Sequence, residues 1–285
     1  MRTQISRYKR SQIAAVTGML ILLYFMPASG QANPVPKSGQ ILWLTANGLR
    51  IKTVIYRGAG VQPRSRPVLM VVLHGDLPSP SYHYEFSRRA ALQMNNVVVA
   101  ALLRPGYTDG AGDRSDGEMG LTTGDNYTPE VVDTVAEIVR QLKQQFHPAS
   151  TLLAGHSGGA AITADLLGRW PALANAALLV SCPCDVPAWR KHMLEVQKNP
   201  IWLAPVKSLS PMDLVGKIPH SVRVRMLVGG EDPVAPPELS QRYADALKNQ
   251  GDDVSLTIVP GLKHNILLEP PVFDALKALV ESERQ

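Results

Sequence analysis

The pentapeptide Gly155-His156-Ser157-Gly158-Gly159 follows a short apolar run, Thr151 to Ala154, and precedes a helix-compatible stretch, Ala160 to Trp170. A strand that turns sharply into a helix forces the central serine into a strained conformation, and flanking glycines relieve the crowding of that turn. The hydroxyl of Ser157 would then stand above a sheet, at the positive end of a helix dipole. A serine is a poor nucleophile at neutral pH. It needs a base to take its proton, and the base needs a carboxylate to fix its tautomer.

In a strand-turn-helix setting of this kind the partners come later, in the order Ser, acid, His, each just after a strand. Asp232 lies in Gly229-Gly230-Glu231-Asp232-Pro233-Val234, after the run Val222 to Val228, and His264 lies in Pro260-Gly261-Leu262-Lys263-His264-Asn265, after Val254 to Val259. Ser157, Asp232 and His264 are therefore the candidate triad. Alternatives for the acid are Glu231 beside Asp232 and Asp185, just past the preceding apolar run; Asp232 could also simply start a helix at Pro236 or Pro237. His74 and His156 flank other motif elements, and His83, His147, His192 and His220 carry no partner pattern.

Attack on an acyl carbon puts charge on the carbonyl oxygen, which must meet preorganised N–H donors. One donor is expected from Gly158, the residue after the nucleophile. The other is expected from His74-Gly75-Asp76-Leu77, after the run Val68 to Leu73, with Asp76 first and Leu77 next.

Short apolar runs of buried-strand type recur along the chain: Val68 to Leu73, Val97 to Leu103, Thr151 to Ala154, Ala176 to Val180, Val222 to Val228 and Val254 to Val259. Ile41 to Thr45 and Ile51 to Tyr56 read as opening strands joined at Asn47-Gly48. Helical faces lie between them, at Val131, Val135, Ile138, Val139, Leu142 and Phe146, then at Leu239, Tyr243, Ala246 and Leu247, then at Phe273, Leu276, Leu279 and Val280. This alternation predicts one α/β domain with a mainly parallel sheet flanked by helices. Pro105 to Tyr127, rich in Gly and Asp, reads as a long surface loop. Residues 187–220, with Trp189 and Trp202, read as a small cap inserted over the sheet's edge before the penultimate strand.

These motifs carry a resemblance. From about Ile41 to the C-terminus, through His74-Gly75, Arg104-Pro105-Gly106-Tyr107, the Ser157 motif, Asp232-Pro233-Val234 and His264-Asn265, the chain resembles the α/β-hydrolases. Ser210 to Pro219, before the penultimate strand, is similar to dienelactone-hydrolase-like and prolyl-oligopeptidase-like catalytic domains. The resemblance implies a serine hydrolase needing no cofactor. The chain has no room for the propeller of large oligopeptidases, and Asp76 stands where many lipases carry a glycine run.

The formal charge of +5 at pH 7 suggests polyanion binding until the charges are located. Arg2, Arg7, Lys9 and Arg10 precede an apolar run, Ile13 to Phe25, and a small-residue stretch, Pro27 to Ala32. This is the order of a secretory signal, cut after Gly30 or Ala32, and the run is shorter than the ~20 residues of a spanning helix. Removing residues 1–32 takes four positive charges from the +5 and leaves the mature domain, residues 33–285, close to neutral. No nucleic-acid partner and no stable membrane anchor are then expected, and the protein is expected to be exported.

In an exported protein Cys182-Pro183-Cys184 is either a pair of free or buried thiols or a strained disulfide, and too few ligands stand nearby for a metal site. Neither a nucleotide-binding nor a zinc-protease motif is present. The expected activity is cleavage of a carboxylic ester or related acyl bond in a small molecule. A peptidase with the same triad, an acyltransferase, and a binding protein on the same fold are the alternatives.

Overall fold

The computed structural model describes residues 39–62, 64–120 and 123–284. The expected signal segment, residues 1–32, lies outside the described residues. Eight strands form one sheet: β1 (Gln40–Ala46), β2 (Leu49–Arg57), β3 (Val68–Leu73), β4 (Val97–Leu102), β5 (Ser150–His156), β6 (Ala176–Val180), β7 (Arg223–Gly229) and β8 (Val254–Val259). Their order is β1-β2-β4-β3-β5-β6-β7-β8. β2 runs antiparallel to β1 and β4, and every other neighbouring pair is parallel.

β3, β4, β5 and β6 are buried along their whole length, as continuous apolar runs require when helices cover both faces. One face, with Leu69, Val71 and Leu73, packs against α2 (Pro129–Phe146), α3 (Gly158–Arg169) and α6 (Pro237–Gln250). The other, with Val68, Met70 and Val72, packs against α1 (Tyr82–Gln93) and α7 (Pro270–Ser282). α2 begins at Thr128, whose side chain accepts a hydrogen bond from the Val131 N–H, with Pro129 in the first turn.

α1 was placed by no face in the sequence. Its inward side is His83, Tyr84, Phe86, Ser87, Ala90 and Ala91, too mixed in polarity to register as an apolar stripe.

Two connections differ from expectation. The stretch from Pro105 to Tyr127 is tied down: Tyr107, Asp109, Ser115, Asn126 and Tyr127 are buried, and Lys52 reaches Asp109 at 2.5 Å and Asp113 at 2.6 Å. Its Gly content reflects turns with positive φ, as at Gly106 and Gly112, and Asp109 pairs inside, while Gly112, Asp116, Glu118 and Gly120 stay exposed as expected of a surface loop.

The segment before β7 holds α4 (Val186–Gln197) and the short α5 (Pro211–Leu214). It packs against the loops that follow β4 and β7, not on an edge strand. Trp189 Nε1 donates to the Val234 carbonyl at 2.8 Å, Ser208 Oγ accepts from the Tyr127 N–H at 3.0 Å, and Trp189 meets Trp202 edge-on at 5.4 Å. Both tryptophans are buried, so packing accounts for them.

Candidate active site

Ser157 sits between β5 and α3 with φ 53° and ψ −123°, a backbone conformation that residues with a side chain seldom adopt. It is held there by its N–H, which donates to the Val180 carbonyl at 2.9 Å. Side chains at Gly155 or Gly159 would collide with backbone, that of α3 itself for the first and of the β3 end for the second, so both flanking glycines are required by close approach.

His264 and Asp232 come to Ser157 from the loops after β8 and β7. His264 Nε2 lies 2.9 Å from Ser157 Oγ, and His264 Nδ1 lies 2.8 Å from Asp232 Oδ2 and 3.0 Å from Oδ1. The Asp232 side chain is fully buried, and its Oδ1 also accepts from the Val234 and Ala235 N–H groups, both at 2.9 Å. The helix-start reading of Asp232 fails, because α6 begins at Pro237 without a side-chain cap and the Asp232 carboxylate instead closes a tight turn over Val234 and Ala235. Asp185, the alternative acid, caps α4 by accepting from the Ala188 N–H at 3.1 Å, and Glu231 is exposed.

The His264 main-chain carbonyl accepts from the Ile266 N–H at 3.0 Å and is held by two side chains as well. Ser181 Oγ donates to it at 2.8 Å and His156 Nε2 lies 3.0 Å away. Tyr82 OH accepts from the Gly75 N–H at 2.6 Å and lies 2.8 Å from His156 Nδ1. The His264 carbonyl can only accept, so the imidazole proton of His156 is on Nε2, and Nδ1 accepts a hydrogen bond from the Tyr82 hydroxyl. Burial, reinforced by nearby His264, lowers the His156 pKa to about 4, so this ring is neutral when it does so.

The Asp76 side chain lies against the Gly158 backbone. A Cβ on Gly158 would stand 2.5 Å from both Asp76 Oδ1 and Tyr127 OH. The Gly158 N–H belongs to the first turn of α3, where N–H groups lack helical partners. The Asp76 side chain has a separate role. Its Oδ1 accepts from Arg104 Nη1 at 2.7 Å and Tyr107 OH at 3.0 Å, and its Oδ2 accepts from Tyr127 OH at 2.5 Å and the Gly124 N–H at 3.1 Å. Burial pushes its pKa upward, but Arg104 and these donors outweigh that and hold it below the usual carboxylate range. Buried Arg104 also donates to the His74 carbonyl and to Asn126 Oδ1.

Sequence reasoning missed Tyr82, Ser181 and the acceptor role of Asp76. Of these, only the acceptor role of Asp76 had a usable signal: Arg104 follows β4 as Asp76 follows the neighbouring β3, so opposite charges end adjacent strands. Cys182 and Cys184 form a disulfide directly after Ser181, with Cα atoms 5.1 Å apart. Among the described residues no cluster of His, Cys, Asp and Glu could hold a metal ion, and no helix is long and apolar enough to cross a membrane.

The model of the alpha/beta hydrolase family matches residues 70–276, which span β3 to α7 and include every site residue above. The chain belongs to the alpha/beta hydrolase family. Among solved structures, this hydrolase is similar to the esterase Est1E from Butyrivibrio proteoclasticus, solved with ferulic acid, with TM-score 0.66 and 16% identity over 85% of this chain and 98% of that one. An esterase from Pyrococcus furiosus gives TM-score 0.66 and 14% identity over 87% of this chain and 91% of that one. A puromycin-hydrolyzing peptidase from Mycobacterium tuberculosis gives 0.67 and 17% over 86% of this chain but only 39% of its own length. At these identities the likeness is one of fold. No curated protein sequence matches the chain.

Proposed function

We propose that this hydrolase is an exported serine esterase that works through an acyl-enzyme on Ser157. The observation that carries the reading is the continuous hydrogen-bonded line Ser157 Oγ, His264, Asp232, with contacts of 2.9 and 2.8 Å. His264 Nε2 takes the serine proton as Oγ bonds to the acyl carbon, and Asp232 stabilises the imidazolium that results. The oxyanion is met by the N–H groups of Gly158 and Asp76, with Leu77 the neighbouring donor. His264 returns the proton to the leaving alcohol as the ester bond breaks, and water then releases the acid by the same base.

Fluorophosphonate labelling of the purified protein tests this. The wild type labels, Ser157→Ala abolishes labelling, and His264→Ala slows it at least a hundredfold. Absence of labelling in folded wild-type protein overturns the reading. A panel of short esters beside aminoacyl and prolyl amides separates the esterase from a peptidase with the same groups. Export is tested by the mass of the secreted chain, expected to start at Gln31 or Asn33.

A further inference from the structure

Beside the triad lies a cavity of about 270 Å³ lined by Leu77, Tyr82, His156, Asn265, Leu267 and Leu268. Three of these residues are chain neighbours of Asp76, Ser157 and His264, which sets the cavity beside the reacting centre. A Cβ on Gly75 would lie 2.9 Å from Ser157 Cβ and 3.1 Å from Tyr82 OH, so a single glycine separates the nucleophile from the cavity wall.

The lining carries no charged side chain. The polar atoms of Tyr82 and His156 are already engaged with Gly75, with each other and with the His264 carbonyl. They therefore offer ring surface, alongside three leucines. The Asn265 amide is the one other polar side chain of the lining, and a charged group placed here would lose its water for no oppositely charged partner. An apolar cavity of about 150 Å³ takes a benzene ring, so this volume suits one ring or a chain of roughly six carbons, and not a peptide.

Resting on the esterase reading, we propose that this cavity receives an uncharged apolar group of the substrate, next to the bond that Ser157 attacks. The apolar group belongs to either the acyl or the alcohol part, and two series of esters tell them apart.

The experiment measures kcat/KM of the full chain on nitrophenyl acetate, butyrate, hexanoate and decanoate, and on ethyl, butyl and hexyl acetate. In the series whose variable part enters the cavity, each added methylene up to about six carbons raises kcat/KM roughly fourfold. The gain then stops, and a succinate monoester is at least tenfold poorer than an uncharged ester of the same length.

Leu77→Trp, at a residue 45% exposed, narrows the cavity and is expected to lower the hexanoate-to-acetate ratio, or the corresponding alcohol ratio, at least tenfold. Leu268→Ala is expected to move the optimum to longer chains. A flat profile in both series, ratios unmoved by both variants, or preference for the succinate monoester overturns the cavity proposal while hydrolysis itself stands. Wild-type protein that neither labels nor cleaves any ester overturns the esterase reading instead, and this proposal with it.

Discussion

Asp76 and Asp165 meet the same helix, α3, at different heights, and both are shut away from water: the Asp76 side chain is 7% exposed and Asp165 is 0% exposed. Asp76 stands at the first turn, against Gly158, and is held as an anion by Arg104 and three further donors. Asp165 sits within α3, where neither oxygen has a hydrogen-bond partner. Burial, with nearby Asp213 adding to it, raises the Asp165 pKa well above its ordinary value, so that carboxyl is neutral. The same side chain is thus an anion where a helix presents free N–H groups and a cation, and an acid where those groups are spent on the helix itself. A permanent negative charge beside a nascent oxyanion would oppose catalysis. Arg104 cancels it.

The largest expected effect comes from another buried carboxylate, Asp232, which accepts from two backbone N–H groups and also faces the imidazole of His264. Asp232→Asn is nearly isosteric but turns an amide toward His264 Nδ1, disfavouring the tautomer that leaves Nε2 free to accept. A fall in kcat of about ten-thousandfold is expected, by analogy with triads of this kind. Ester turnover measured beside a denaturant curve checks it, and loss of stability in place of turnover would make Asp232 a structural anion like Asp76. Next in size is Arg104→Met, which leaves the Asp76 charge buried without its cation. A destabilisation of about 3–5 kcal/mol is expected in urea unfolding. The double variant Asp76→Asn, Arg104→Met should cost clearly less than the two single costs added, and strict additivity would mean that the pair is not coupled.

The same contrast explains what could be read from the sequence. Ser157 follows β5, whose burial on both faces imposes an unbroken apolar run, whereas His264 follows the edge strand β8, which has no buried residue although its sequence reads as a buried run. The backbone placement of Asp76, after the fully buried β3, was legible as that of Ser157 was. Its side-chain role was not, because Tyr107, Gly124 and Tyr127 reach it from the buried ends of a connection with no periodicity, whose middle is exposed. Tyr82 was hidden because α1 buries His83 and Ser87 beside Tyr84 and Phe86. The cap was correctly placed in the chain and misplaced in space, since tryptophan-rich composition says that a segment packs but not against what.

Asp165 and Asp76 should leave opposite marks on the pH dependence of stability. Asp165 keeps its proton in the folded chain and loses it in the unfolded chain above about its ordinary 3.8. Its contribution is full below that pH and falls by roughly 1.4 kcal/mol per pH unit as pH rises toward the folded value. Asp76, with a lowered pKa, contributes stability above the ordinary carboxylate range and loses it as pH falls through its folded value. Unfolding free energies of wild type and Asp165→Asn between pH 4 and 7 should therefore diverge, the variant gaining on the wild type as pH rises. Parallel curves would mean that Asp165 is ionised and partnered after all.

The smallest effect concerns a neutral group held as thoroughly as Asp76, the His264 carbonyl. It accepts from Ser181 Oγ, His156 Nε2 and the Ile266 N–H, so removing one side-chain donor leaves it still paired. Ser181→Ala is accordingly expected to cost only about 1 kcal/mol of stability and to lower kcat severalfold with KM little changed, because the base is loosened and the substrate surface is not. His156→Leu removes the other side-chain donor and leaves Tyr82 OH without an acceptor for its proton, so its cost should be larger. If the two losses in kcat compound to more than their product in the double variant, the donors act together to hold the base. Simple multiplication would mean that each acts alone and that the rest of the β8 loop already positions His264.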